Sequence, residues 1–465
     1  MWTPPTSIDR KSWEDAWIRY GPDKISEAVS VSRWRIYQPV DDYLSKSEYV
    51  VEPILLTYLP PNTPHTGLAV SRANFLLEPS RIYHFRAVFS KCPRLGPTTA
   101  SSLDLAKIWL DNCVAGHPRC WPMGVTSLSP PKSNIGARML EKVTWVPTRL
   151  LHLTEKTVQL IETKETRPLT PYVTVTHRWG FADEEKMKLN KKKNYPSLKK
   201  GVPFSSMPRL FQNVISIALH LGINYIWIDS FCILQDKDDQ TDWRREATQM
   251  QQVYANSFCN TSADDATSCS DTLFSEPRDP EEEIMPQHFN FPSEHAEKLG
   301  TAQSFTITSL NAWETQVTDA LVNTRGWVLQ ERVLSRRIVH FGRRQIFWKC
   351  NSIEACEAIP LPLNSSVVHT QGFLVNGARF KKSEDLASGR RPENPYRIWH
   401  NLVQIYTRTE LSNPSDKLVA ISGLAKLFQD WTGDDYLAGL WRRNFECWLL
   451  WYNNNDNNFQ HQRKP

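Results

Sequence analysis

The chain has 465 residues, 40% of them hydrophobic and 23% charged, with a formal net charge of +5. That length predicts two or three domains, the composition is that of an ordinary soluble globular protein, and the small charge gives only weak support for nucleic-acid or membrane attraction, so no nucleic-acid partner is expected. Nine cysteines without dense spacing argue against a disulfide scaffold and for a reducing, cytoplasmic setting, no apolar run is long enough for a membrane span, and the opening MWTPPTSIDRKSWEDAW does not read as a secretory segment.

Residues 1–100 form an N-terminal region with short strand-like pieces, YVVEPILLTYL (49–59) and RIYHFRAVF (81–89). Residues 101–170 read as a segment preceding the main domain: a short helix, a Cys/His loop, and a hairpin-like pair, MLEKVTWV and TVQLIET. Residues 171–335 carry the most regular pattern. YVTVTH (172–177) is β-branched and predicts a strand. The lysine-rich stretch 186–201 reads as a solvated loop or, more sharply, an anion-attracting one. SSMPRLFQNVISIALHLG (205–222) has apolar residues at helical spacing, with Ser206 as a cap, Pro208 in the first turn and Gly222 at the end. NYIWID (224–229) is apolar on both faces, the mark of a parallel strand covered on both sides.

Strand, helix and strand form a βαβ unit. A helix from about Asp242, a short strand (257–263) and a loop-rich stretch (264–320) with an acidic turn at 279–283 follow. TRGWVLQERVLS (324–335) reads as a helix. Residues 336–451 begin with a hairpin, RIVHF and QIFWKC, turning at Gly342, and continue as mainly helix; 452–465 is a polar tail expected to be disordered. The fold class expected is α/β, with a parallel-sheet core, inserted loops, a β-hairpin and a mainly helical C-terminal region.

In such a sheet, ligands bind at the carboxyl ends of the strands. One end delivers His177, Arg178, Trp179 and Gly180, the other Asp229, Ser230 and Cys232. Arg178 and Asp229 on one rim read either as an ion pair or as ligand-binding groups. Cys232, set between Phe231 and Ile233, reads as a buried thiol before a nucleophile. On the next helix Trp243, Glu246, Met250, Val253 and Tyr254 share one face, and Glu246 is its only carboxylate. A carboxylate on an inward face needs a partner or takes up a proton. The partner expected is Arg178 or Arg325; the functional reading makes Glu246 an acid at the mouth of a pocket. Gln330 and Glu331, on a face with Trp327 and Leu334, are expected to join a buried polar network with Asp229 or Glu246.

Cys113, His117 and Cys120 are three potential zinc ligands where a structural site needs four; Cys92, His152 or a distant residue would have to complete it. Packed thiols are the simpler reading, and no metal is expected. Phosphate loops, zincin motifs and serine-hydrolase elbows are missing, which argues against the ordinary enzymes that use them.

Three ordered blocks resemble the fungal heterokaryon incompatibility (HET) domain family: YVTVTHRWG, with Thr176 where the family usually has serine; LGINYIWIDSFCILQD followed by Asp242-Trp243, Glu246, Met250 and VYANS; and TRGWVLQERVLS. The Cys113/His117/Cys120 segment and YLAGLW (436–441) resemble flanking parts of such proteins. The resemblance implies a role in fungal non-self recognition, with growth arrest and cell death triggered through protein partners or self-association. The family's domain is also distantly similar to TIR domains, which implies a TIR/flavodoxin-like parallel-sheet core; many TIR domains cleave NAD+ with a helix glutamate. By that analogy Glu246 is the candidate catalytic residue and Asp229 an orienting one. Arg178, Trp179, Trp243 and Arg325 would then bind NAD+ as substrate, and no other cofactor is implied.

Overall fold

The computed structural model of the protein describes residues 54–58, 73–79, 100–121, 145–180, 189–191, 193–236, 238–274, 287–290, 304–309, 313–343, 345–357, 395–443 and 445–449. The segment RIYHFRAVF, the acidic turn and the polar tail lie outside the described residues.

Strands β1 (Ile54–Tyr58) and β2 (Ala73–Pro79) pair antiparallel. Helix α1 (Ala100–Gly116) leads toward a hairpin of β3 (Arg149–Leu153) and β4 (Thr157–Glu162). The partner of TVQLIE is therefore RLLHL and not MLEKVTWV. Pro147 brings no backbone donor to a ladder, and the buried Leu150, Leu151 and Leu153 give the later segment more to bury.

Strand β5 (Tyr172–Thr176) is followed by α2 (Tyr195–Lys200) and β6 (Val202–Pro203). The end of the lysine-rich stretch is thus helical, anchored by the buried Leu198 and started by a proline in its first turn. Helix α3 (Arg209–His220) buries Leu210, Phe211, Val214, Ile215 and Ala218, as its periodicity predicts. Pro208, not Ser206, occupies the N-cap, because Phe204–Ser206 forms its own 3-10 turn. Gly222 takes φ +77° just beyond the helix, a conformation glycine adopts without penalty. Then come β7 (Tyr225–Trp227), the single turn α4 (Asp229–Cys232), α5 (Thr241–Asn256) and β8 (Cys259–Ala263).

Strands β9 (Gln287–Asn290) and β10 (Ser304–Ser309) lie within the stretch expected to be loop; with β1 and β2 they form a four-stranded antiparallel sheet in the order β1-β2-β10-β9. Helix α6 (Gly326–Leu334) precedes the expected hairpin, β11 (Arg337–Phe341) and β12 (Ile346–Cys350), and a third strand β13 (Glu354–Cys356). Helices α7 (Pro395–Tyr406) and α8 (Val419–Thr432), the small pair β14 (Tyr436–Leu437) and β15 (Leu440–Trp441), and α9 (Phe445–Trp448) end the described chain. Trp399, Phe428 and Trp441 interlock there with ring centroids 5.3 to 6.4 Å apart.

The main sheet has nine strands in the order β13-β12-β11-β8-β5-β7-β3-β4-β6. Its centre, β11-β8-β5-β7, is parallel, and both margins are antiparallel. Numbered by their order in the chain, the four parallel strands lie 2-1-3-4, the order of flavodoxin-like sheets. The expected α/β fold with its parallel core is therefore present. Strands β5, β8 and β11 are buried at every position, which requires cover on both faces. Helices α5, α6 and α8 pack together, and α3 packs with α1. The residues Tyr172, Thr174 and Thr176 all bond toward the α5–α6 side, through Val253, Ser257 and Glu331 respectively.

Candidate functional site

The order 2-1-3-4 places the topological switch point between β5 and β8, where open α/β sheets leave a crevice for ligands. Here a segment of the chain itself joins the two strand ends. Leu321–Thr324 forms a 3-10 turn, and the backbone N–H of Val322 donates to the Asp264 carbonyl at 3.1 Å. Arg178 Nη1 donates to Thr324 Oγ1 at 3.1 Å, and the Arg325 guanidinium donates to the His177 carbonyl. Arg178 and Arg325 thus bind the plug to the rim.

Beneath the plug runs a line of buried polar groups. Asn260 Nδ2 donates to Thr176 Oγ1 at 2.9 Å, and Thr176 Oγ1 donates to Glu331 Oε2 at 2.6 Å. Thr174 Oγ1 donates to Asn260 Oδ1 at 3.1 Å and lies 3.0 Å from Ser257 Oγ. Burial pushes the Glu331 carboxyl up to about 7; the Arg325 charge and the hydroxyls of Thr176 and Tyr254 oppose the rise, and Asp229 adds to it. The residues on either side of Glu331 are also buried. Gln330 Oε1 accepts the backbone N–H of Gly423 on α8 at 3.1 Å, and Arg332 lies in the fields of Asp264 and Glu354. His340 on β11 sits 3.0 Å from Asp264 Oδ2, whose Oδ1 accepts the Ser262 hydroxyl at 2.5 Å.

On the opposite face of the sheet, the His177 ring meets Phe211 edge-on at 5.1 Å and stacks toward Trp179 at 6.4 Å. Burial holds its imidazole down at about 4, against the pull of Asp229 and with the repulsion of Arg325. Asp229 accepts the Trp179 indole N–H at 3.2 Å and the N–H of Ser230 at 2.7 Å. Trp179, rather than Arg178, is therefore the rim residue bonded to Asp229.

Glu246 is 2% exposed on α5, and its Oε1 accepts from Arg245 Nε and Nη2 at 3.1 and 2.9 Å. Its ion-pair partner is thus the residue before it, not Arg178 or Arg325. Arg245 Nη2 also reaches Asp242 Oδ1 at 2.5 Å. The buried Asp242 takes both Nη atoms of the buried Arg149, at 3.0 and 2.5 Å, and the N–H of Leu234 at 2.9 Å. Arg149 Nη1 also donates to the Cys232 carbonyl at 2.7 Å. Trp243 lies edge-on to Trp327 at 6.5 Å. Burial pushes the Cys232 thiol up to about 12, which leaves it unreactive.

Sequence reasoning had placed Glu331 in a buried network but missed its link to Thr176, the Arg149–Asp242 pair and the His340–Asp264 pair. The period-2 pattern of YVTVTH puts Thr174 and Thr176 on one face of a strand buried on both, and that was the available signal. The fourth group near Cys113, His117 and Cys120 is Cys350. These four are the only such cluster among the described residues, with ligand atoms all within 4.8 Å of one another. His152 instead packs on Tyr225, and Cys92 lies outside the described residues.

Residues 172–331 match the family model described as heterokaryon incompatibility protein (HET). This chain carries a HET domain. No curated protein and no solved structure gives a significant match to it. The HET domain runs from β5 to α6, so the hydrogen bond from Thr176 to Glu331 ties its first strand to its last helix. The sheet continues beyond the matched segment: β3 and β4 precede it, and β11, β12 and β13 follow it. Two glycines of the HET blocks have a packing reason. A Cβ on Gly180 would lie 2.6 Å from Ser268 Cβ, and one on Gly326 would lie 2.7 Å from Leu411 Cδ2. Among the described residues no helix is long and apolar enough to cross a membrane.

Proposed function

We propose that this chain is a fungal non-self-recognition protein, acting in the cytoplasm, whose HET domain triggers growth arrest and cell death through protein contacts and self-association. The match of residues 172–331 to the HET family carries the reading. A signalling output is favoured over ligand turnover because Val322, Thr324 and Arg325 hydrogen-bond to the ends of β5 and β8, where an open α/β sheet would present its ligand crevice. A nucleic-acid partner has only the mild net charge of +5 in its favour, and the sequence shows no helix-turn-helix or finger signature. Inducible expression of the full chain in a filamentous fungal host tests this. Arrest and uptake of a vital dye are expected, and unimpaired growth at verified high protein levels would sink it.

A second reading is a TIR-like NAD+ glycohydrolase. What favours it is Glu246, a buried carboxylate in the second turn of a helix that follows a central parallel strand. In that reading Glu246 stabilises positive charge developing at the ribose as nicotinamide leaves, Asp229 orients the rim, Arg178 and Arg325 hold the diphosphate, and Trp179 or Trp243 stacks on a ring. The two functions are compatible; in this reading assembly would have to displace Arg245 from Glu246. Nicotinamide release from NAD+, with and without induced oligomerisation and against Glu246→Ala, is the measurement.

A further inference from the structure

We propose that Cys113, His117, Cys120 and Cys350 form a tetrahedral structural zinc site that staples the segment before the HET domain to the hairpin after it. The ligand atoms all lie within 4.8 Å of one another, and Cys350 Sγ and His117 Nδ1 approach to 3.4 Å. A tetrahedral zinc with Zn–S near 2.3 Å and Zn–N near 2.0 Å sets its ligand atoms about 3.5–3.8 Å apart, so closure needs only small rotamer adjustments. Both geometry and softness of the donors, three sulfurs and an imidazole, select zinc over magnesium or calcium.

Local backbone structure builds the site. Cys113 lies in the last turn of α1, and the N–H of His117 donates to its carbonyl at 3.0 Å, so i and i+4 share a face. Pro118–Cys120 then forms a 3-10 turn that brings Cys120 back over the helix end. On the other side, Cys350 ends β12 and opens a tight turn in which the N–H groups of Ser352 and Ile353 both lie 3.4 Å from its sulfur. Two amides aimed at one sulfur stabilise a thiolate, which is the form that binds metal.

Charge balance is a second, independent observation. Three thiolates around a dication leave one net negative charge, which a buried site must neutralise. Arg337 is 1% exposed; its Nε donates to Cys113 Sγ at 3.1 Å and its Nη2 to the Cys120 carbonyl at 2.8 Å. An odd number of cysteines also leaves one thiol over from any disulfide, and none of the three is disulfide-bonded. The site's mechanical role follows from where it sits: α1 packs on β12, with Trp109 and Trp348 6.3 Å apart, and the metal would lock that contact across more than 200 residues of chain.

The test uses the full chain, purified under reducing conditions without chelator. Elemental analysis is expected to give a single zinc ion per chain, and Co2+ exchanged for it is expected to show intense visible bands of a tetrahedral site with thiolate-to-cobalt charge transfer. Cys350→Ser should lose the bound zinc or shift the cobalt bands, whereas Cys232→Ala, a buried cysteine outside the cluster, should keep both. The cobalt spectrum is read on the wild type, so the test holds even where the serine variant fails to fold. A wild-type chain that melts cooperatively yet holds no zinc and takes up no cobalt overturns the proposal, as does a cobalt spectrum without thiolate charge transfer.

Discussion

The Thr176 hydroxyl donates to the buried Glu331 carboxylate at 2.6 Å while accepting from Asn260 at 2.9 Å. One small side chain thus joins the first strand of the HET domain, its third parallel strand and its last helix. Serine here would offer the same hydroxyl without the methyl. Thr176→Ser is therefore expected to fold with stability close to wild type. Thr176→Val keeps the shape but takes one donor from Glu331, which keeps Tyr254, and the acceptor from Asn260 Nδ2, at a cost of about 1–3 kcal/mol. Urea denaturation of the two variants checks this, and equal losses in both would refute a role for the hydroxyl.

Glu331 also predicts a pH signature. Its folded carboxyl keeps a proton up to about 7, while the unfolded one releases it near 4.5. Between these values the folded state binds the extra proton, so this group favours folding at low pH, and the advantage is lost as pH rises to about 7. Glu331→Gln removes the dependence. Wild-type stability minus that of the variant should fall by about 3 kcal/mol from pH 4.5 to 7 and stay level above. Denaturation midpoints at stepped pH measure it. A difference that rises with pH would show that the carboxyl is held charged instead.

His177 is expected to give the opposite slope. Its folded imidazole stays neutral down to about 4, whereas the unfolded one protonates near 6.5. Folding is then favoured by this group above about 6.5, and the contribution is lost as pH falls toward 4. The two slopes overlap between pH 4.5 and 6.5 and offset each other in the wild type. In Glu331→Gln the His177 slope stands unopposed, so that variant should lose stability on acidification faster than wild type. His177→Gln, read the same way, should show the reverse.

The elements that could be read from sequence are those whose signal is one-dimensional. The apolar spacing of α3, the β-branched run of β5 and the two-sided apolar β7 each state which positions are buried. The partner across the interface is not in that signal. Glu246 was rightly expected on an inward face, but whether Arg178, Arg325 or Arg245 meets it depends on the order 2-1-3-4 and on the path of residues 321–325. Arg149 shows the same limit. It sits in a strand that sequence placed some residues too early, and its bond to Asp242 exists only because β3 lies antiparallel beside β7. Cys350 could not be assigned to the Cys113 cluster because β12 and α1 meet only after the sheet is assembled.

The glycines of the HET blocks should differ in tolerance. Gly180→Ala sets a methyl 2.6 Å from Ser268 Cβ and 3.2 Å from its Cα, so backbone must move. Gly326→Ala meets the end of the Leu411 side chain at 2.7 Å, and that can turn away. Overpacking of the first kind costs about 1–3 kcal/mol. Thermal melting should therefore rank Gly180→Ala below Gly326→Ala, and Ser268→Gly should recover part of the Gly180→Ala loss while doing nothing for Gly326→Ala.

Asp242 and Glu246 lie four residues apart and share Arg245, yet their removal should have different outcomes. Asp242 holds the buried Arg149 through both Nη atoms, so Asp242→Ala leaves that guanidinium only the Cys232 carbonyl and Glu162 at 3.6 Å, a loss of up to about 3–5 kcal/mol. Glu246 bonds to Arg245, whose side chain is 52% exposed and keeps Asp242 as a partner when Glu246 is lost. Glu246→Ala should therefore melt much closer to wild type than Asp242→Ala. That makes it a clean test of the second reading: a folded Glu246→Ala protein that releases nicotinamide from NAD+ as fast as wild type removes the carboxylate from catalysis. Release by wild type that the variant abolishes, with both chains folded, would instead move the enzyme reading ahead of the contact-based one.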